Sequence, residues 1–255
     1  MSIASAEGTS IYYERHGRGP AVLFVHGSGG HHAAWWQQVA ALRGSYTVVT
    51  VDLRGFGNSD SSMPEFDGQD FPGDVLAVLD QEDLRGVLLV GQSIGAVAAL
   101  RAGLSRPDRV AGVVLAHSLG GLADPELSES VNVDRAAAIR LPVLDRLLSR
   151  EFQEREPART FLFQQMGTFN VAKMADLRNL TTGGPTVDEV VASGLDVTFL
   201  AGEKDAVLSA ATVRRAHALV KGSRLELVPG APHSMYWEAP ELFNAAVIRV
   251  REALS

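Results

Sequence analysis

Six short runs of consecutive apolar, largely β-branched residues constrain this chain more than any other feature: AVLFVHG (21–27), YTVVTVDL (46–53), GVLLVGQ (86–92), VAGVVLAHS (110–118), DVTFLAG (196–202) and RLELVPG (224–230). A strand with one face in water alternates apolar and polar residues. A run apolar on both faces belongs to a strand covered on both sides, which means a mostly parallel sheet between helical layers. Stretches of helical character separate the runs, among them WWQQVAAL, FPGDVLAVLDQ, IGAVAALRAGLSR, AATVRRAHALVKG and PELFNAAVIRVREAL. In FPGDVLAVLDQ the residues Phe71, Val75, Val78 and Leu79 share one helical stripe. Alternating strand and helix signals define the α/β class. At the front, SIASAEGTSIYYERHGRG reads as a hairpin turning at Glu7-Gly8, which adds antiparallel edge strands.

One stretch interrupts the alternation. Residues 119–185 hold no strand-like run and carry helical pieces instead (VDRAAAIR, LPVLDRLLSREFQ, ARTFLFQQM, VAKMADLRNL), bounded by Gly120-Gly121 and Gly183-Gly184-Pro185. The expectation is a helical cap inserted at 119–185 into a core made of residues 1–118 and 186–255. At 255 residues the chain can bury about 70–75% of its unfolded surface, so it needs no staple to stay folded. It has no cysteine, which excludes disulfides, thiolate metal sites and a thiol nucleophile. A net charge of −7 without a basic block argues against nucleic-acid binding. No apolar run approaches the roughly 20 residues that span a bilayer, and the start of the chain lacks the pattern of a signal peptide. A cytoplasmic location is the default expectation.

Gly91-Gln92-Ser93-Ile94-Gly95 is a G-x-S-x-G pattern. Five residues recur easily by chance; the context lends this one weight. It follows GVLLV and opens AVAALRAGL, the strand–turn–helix setting of a nucleophile elbow. The plain alternative is a serine capping a helix. A serine on so tight a turn is strained, and glycines two positions either side relieve the crowding. The new helix also leaves N–H groups unpaired, that of Ile94 among them. His26-Gly27-Ser28-Gly29-Gly30 follows AVLFV in the same way, and the Ser28 N–H is placed to serve as a second oxyanion donor. The rival reading, a dinucleotide loop, fails on spacing because position 32 is His32; no G-K-S/T occurs anywhere.

A serine nucleophile needs a base and an orienting acid. Of the seven histidines, only His233 follows a strand into a loop, at the carboxyl edge where ligands of α/β sheets bind. His31 and His32 are adjacent and are expected to diverge, without metal-ligand spacing. Asp205 follows DVTFL in the loop AGEKDAVLS, with Glu203 as its neighbouring competitor, whereas the preceding strand ends in Ala116-His117-Ser118 without a carboxylate. The order Ser93, Asp205, His233 is that of one fold among the serine hydrolases.

These motifs, with the D-L-R-G-F-G-N-S-D segment at 52–60 and the P-H-S…E-x-P ending at 232–240, resemble those of the α/β-hydrolase superfamily, over nearly the whole chain. The resemblance implies an eight-strand-type core with a helical cap between its sixth and seventh strands. It also implies a Ser93–His233–Asp205 triad, and an oxyanion hole from the N–H groups of Ser28 and Ile94. Position 93 is Ser, unlike the nucleophilic Asp of the superfamily's epoxide hydrolases and haloalkane dehalogenases. Asp52 and Arg54 are read as ties within their loop rather than as catalytic groups. The expected reaction is hydrolysis of a carboxylic ester or lactone, with a carbon–carbon bond hydrolase of diketone type as the alternative reaction and a ligand-binding receptor as the alternative class. A small apolar substrate, no cofactor and no metal are expected. Trp35, Leu119, Phe163, Phe169 and Met235 are the pocket candidates, against the plainer alternative that such residues only pack the core. Oligomeric state is not legible.

Overall fold

The computed structural model describes residues 2–254. The chain begins with a hairpin, β1 (Ser2–Ala6) and β2 (Thr9–His16), whose turn places Glu7 and Gly8 at φ 51° and 88°, the positive values that tight two-residue hairpin turns require. Then come β3 (Ala21–Val25), α1 (Trp36–Leu42), β4 (Thr47–Val51), a two-residue strand β5 (Phe66–Asp67), α2 (Phe71–Gln81), β6 (Val87–Gln92), α3 (Ile94–Ser105) and β7 (Val110–Ala116). After a long excursion the chain re-enters the sheet as β9 (Asp196–Gly202) and ends with α9 (Ala210–Leu219), β10 (Arg224–Val228), α10 (Met235–Glu238) and α11 (Pro240–Glu252). Eight strands form one sheet in the order β1-β2-β4-β3-β6-β7-β9-β10. The contacts β1·β2 and β2·β4 are antiparallel and the others parallel.

The apolar runs are explained by two cores, one on each face of the sheet. Successive side chains of a strand point to opposite faces, so in β3 Leu23 and Val25 enter one core while Val22 and Phe24 enter the other. The first core is closed by α2, α3 and α9, through residues such as Phe71, Val75, Leu100 and Val213. The second is closed by α1, α10 and α11, through Leu42, Trp237, Phe243 and Val247. Burying one such side chain contributes roughly 1.5–3 kcal/mol, which is why neither face of these strands tolerates a polar alternation. No helix among the described residues is long and apolar enough to cross a membrane.

The excursion carries α4 (Pro125–Ala138), α5 (Val143–Leu147), α6 (Arg150–Arg155), α7 (Pro157–Met166), a two-residue strand β8 (Leu177–Arg178) and α8 (Val187–Ser193). Local chemistry starts these helices. Asp124 accepts the Leu127 N–H and Pro125 occupies the first turn of α4; Ser149 accepts the Phe152 N–H of α6; Thr186 and Glu189 form a capping box on α8. The excursion leaves and rejoins the core at a narrow neck, where the Ala123 N–H donates to the Pro185 carbonyl at 2.8 Å. One expectation needs correction. VAKMADLRNL is not helical: it forms a 3-10 turn at Met174–Asp176 and then β8, which pairs in parallel with β5. A two-residue strand is too short to leave a periodicity, and here it is held by tertiary contacts, with the Gln69 amide donating to the carbonyls of Asn179 and Thr182.

Candidate active site

Ser93 sits between β6 and α3 at φ 54° and ψ −116°. A non-glycine residue in that region costs on the order of 1–3 kcal/mol, so the surroundings must impose it. A Cβ on Gly91 would collide with Ala96 and the Gly95 carbonyl, and one on Gly95 with the carbonyls of Val25 and His26. Both glycines are therefore required by close backbone approach, as the pattern suggested. The Ser93 N–H donates to the Ala116 carbonyl at 2.9 Å, which anchors the turn to β7. Ile94 opens α3; the Ala96 N–H already donates to the Ser93 carbonyl at 3.2 Å, while the Ile94 N–H precedes the first bond of the helix.

Four neighbouring strands, β6, β7, β9 and β10, deliver one chemically capable residue each at or just beyond their carboxyl ends: Ser93, His117, Asp205 and His233. His233 Nδ1 lies 3.0 and 2.9 Å from Oδ1 and Oδ2 of Asp205. Asp205 Oδ1 also accepts the N–H groups of Val207 and Leu208, at 2.8 and 3.0 Å. Burial alone would raise the carboxyl pKa of Asp205; the charge of His233 and the imidazole hydrogen bonds outweigh it and hold the group well below the usual carboxylate range. Asp205 is thus built to stay ionised beside an imidazole. Glu203 instead points to Arg214 on the surface, 3.5 Å away. His117, passed over in the sequence as a strand end without a carboxylate, donates from Nδ1 to Asp205 Oδ2 at 2.9 Å.

A cavity of about 240 Å³ joins Ser93 and His233 to the loop containing Ser28. The excursion contributes Val143, Leu147, Phe163 and Met174 to its lining. Lys173 adds an ammonium, which donates to the carbonyls of Gly167 and Asn170 at 2.8 and 2.6 Å. Of the five pocket candidates, Phe163 lines this cavity and the others lie elsewhere. Trp35 is buried in the second core between Phe24 and Tyr236, with ring centroids 4.9 and 4.8 Å away. Met235 is buried in the same core and Leu119 in the first. Phe169 is 70% exposed, edge-on to His31. Spacing could put these side chains near the site but could not say which way they turn. Lys173, Val143, Leu147 and Tyr236 were missed for the same reason.

Two glycine-rich loops, the one at 26–30 that lines the cavity and the one at 52–60, are tied structures. In the first, the His26 ring donates from Nδ1 to the Gly27 carbonyl at 2.8 Å and accepts the Leu53 N–H on Nε2 at 3.1 Å. That pairing requires a neutral ring, and burial pushes its pKa down to about 4. A Cβ at Gly27 would collide with the side-chain oxygen of Gln92, the residue before Ser93. In the second, the Arg54 guanidinium clasps Asp74 Oδ1 at 2.9 and 2.6 Å, and Asp52 accepts the Asn58 N–H at 2.8 Å. His31 and His32 do not diverge: a 3-10 turn brings their rings to 5.0 Å, and His32 Nδ1 lies 2.9 Å from Asp52. Asn170, from the excursion, joins both loops by donating to the Gly30 carbonyl and accepting the Gly57 N–H, each at 3.0 Å.

The match with known proteins covers the same ground. A thermophilic esterase from Thermogutta terrifontis superposes with a TM-score of 0.83 at 21% identity, covering 99% of this chain and 98% of its own. An enol-lactonase from Burkholderia xenovorans gives 0.78 at 21% identity, over 97% and 98% of the two chains. A meta-cleavage product hydrolase from Pseudomonas fluorescens gives 0.78 at 18%, over 100% and 98%. At such identities the likeness speaks for the fold. The profile of the alpha/beta hydrolase family matches residues 22–246, the span that contains the elbow, the acid loop and His233; the chain belongs to the alpha/beta hydrolase family.

Proposed function

We propose that this hydrolase cleaves a carboxylic ester or lactone through an acyl-enzyme on Ser93. The observation that carries the reading is a strained serine on a cavity wall shared with a histidine whose Nδ1 is bonded to an ionised, buried carboxylate. Ser93 Oγ attacks the substrate carbonyl while its proton passes to His233 Nε2. Asp205 accepts from His233 Nδ1–H, which fixes the tautomer and stabilises the imidazolium. The N–H groups of Ser28 and Ile94 receive the oxyanion, fixed dipoles that need no reorganisation when charge develops. Collapse of the tetrahedral intermediate expels the alkoxide, which takes the proton from His233. Water then attacks the acyl-enzyme with His233 again as base, releasing the acid and restoring Ser93.

Residues 119–185 act in this reading as a cap that closes the cavity from above and sets substrate size. Support comes from Val143, Leu147 and Phe163, three apolar side chains of that segment that line the cavity together with Ser93. A cavity of this volume lined in this way suits an acyl group of modest size with few polar atoms. The test is a panel of acyl esters and lactones of graded length, run with the wild type and Ser93→Ala. Turnover should fall about 10⁴-fold or more in the variant, leaving the residue of activity that an oxyanion hole alone supports. Wild-type enzyme inert towards every ester and lactone would overturn the reading.

A further inference from the structure

Asp205 serves two histidines. His117 leaves the end of β7, between the strand that delivers Ser93 and the strand that delivers Asp205. Its backbone N–H donates to the Leu200 carbonyl of β9 at 2.7 Å, and its φ of 55° turns the residue out of the sheet direction. The ring is fully buried, 5.4 Å from that of His233 in an edge-on arrangement. Nδ1 faces Asp205 Oδ2 at 2.9 Å, so that nitrogen carries the proton. Nε2 is buried and has no hydrogen-bond partner among the described residues. A proton there would leave a buried N–H unsatisfied, so the geometry selects the neutral ring with its single N–H aimed at the carboxylate.

We infer that His117 is a positioning residue of the hydrolytic site, whose N–H fixes the plane of the Asp205 carboxylate and takes a share of its charge. This deepens the triad reading proposed above and rests on it. Oδ1 is already held by two backbone N–H groups; without His117, Oδ2 keeps only its share of the His233 Nδ1–H. The carboxylate would then gain freedom to rotate and would concentrate its charge on the imidazole. Geometry loosens, which lowers the rate of the chemical step, and more of the carboxylate's charge faces the imidazole, which displaces the lower midpoint of the pH–rate profile upward. The titratable groups acting on His117 are Asp205 and His233, and burial keeps its own ring in the neutral form. No proton leaves His117 in the cycle. An ordinary core histidine in this position would affect stability alone.

Two variants separate these roles. His117→Asn puts an amide nitrogen close to where Nδ1 stood and tolerates the positive φ; His117→Leu has the same shape without a donor. For His117→Leu we expect kcat to fall about 10–100-fold, in the range typical of partners that orient a catalytic ligand. KM should change less than about threefold, and the lower midpoint of the kcat/KM–pH profile should rise by about half a pH unit. Recovery of both kcat and midpoint in His117→Asn would support the role. A folded His117→Leu enzyme with the wild-type kcat and midpoint would overturn it. Should His117→Leu not fold, NMR of ¹⁵N-histidine-labelled protein in the Ser93→Ala background decides without turnover. Two slowly exchanging imidazole N–H signals that both disappear in Asp205→Ala support the proposal, and a single such signal overturns it. Two signals in an enzyme inert towards all esters and lactones would retain the hydrogen bond but overturn the hydrolytic reading, and with it the catalytic part assigned to His117.

Discussion

His233 Nδ1 stands 2.9 Å from Oδ2 of Asp205, across two loops that leave the adjacent strands β9 and β10. The register of those strands sets the distance: Val228 pairs with Gly202, and the Glu203 N–H donates to the Val228 carbonyl at 3.0 Å. A second tie, from the Lys204 N–H to the Ala231 carbonyl at 3.0 Å, carries the pairing into the loops themselves. The acid and the histidine meet because the sheet continues, by single hydrogen bonds, past its last paired residues.

Stability should decline as pH falls from about 6.5 towards 4. The folded His26 pKa is depressed to about 4 by burial, so its contribution is complete above the unfolded value of roughly 6.5 and is lost as pH drops to the folded value. His26 alone accounts for about 3 kcal/mol, opposed below about pH 6 by Asp74, whose carboxyl burial pushes up to about 6 so that its protonation favours the fold. His31 and His117 are depressed in the same direction, also by burial. Urea unfolding at pH 7.5, 5.5 and 4.5 checks this; a flat stability across that range contradicts it. Below about pH 4 the depressed Asp205 carboxyl adds to the same trend.

Asp74→Ala should cost about 1–3 kcal/mol, because it removes the buried carboxylate that clasps Arg54 and leaves the guanidinium only the half-exposed Asp70 at 3.1 Å. At a temperature where the variant is still folded, KM for a cleaved ester should stay near the wild-type value, since neither residue lines the cavity. Chemical denaturation and steady-state kinetics on one preparation measure both.

Phe163→Ala should change the preference for acyl chain length, whereas Phe169→Ala should change neither that preference nor stability by more than about 0.5 kcal/mol. Phe163 faces the cavity and packs on Trp237 at 5.4 Å between centroids; Phe169 is mostly in solvent. An ester panel and melting curves on the two variants distinguish them.

The contrast between these two phenylalanines marks how far the sequence could be read. Strands, elbow and acid loop were legible because close packing restricts what can stand there: apolar residues on both faces of β3 and β6, glycine where a Cβ meets Ala96 or the Val25 carbonyl. Both phenylalanines lie in the excursion between β7 and β9, where no periodicity records which side of the chain meets the cavity. β8 was invisible because two residues carry no pattern. His117 was visible but passed over, since the strand end was searched for a carboxylate and not for a partner to Asp205.

Asn170→Ala should remove about 1–3 kcal/mol, the cost of leaving buried partners unpaired, and should also lower kcat. Its amide bridges the Gly30 carbonyl and the Gly57 N–H, and the first of these belongs to the loop whose Ser28 lines the cavity. A variant with reduced stability and unchanged kcat would separate that loop from the rate.

The central claim, that Ser93 is the nucleophile activated by His233, is tested most directly by reacting the protein with a fluorophosphonate probe and locating the adduct by mass spectrometry. One adduct per chain on Ser93, abolished in Ser93→Ala and strongly slowed in His233→Ala, is the predicted result. An adduct on Ser28, Ser59 or Ser234 with Ser93 unmodified would contradict it.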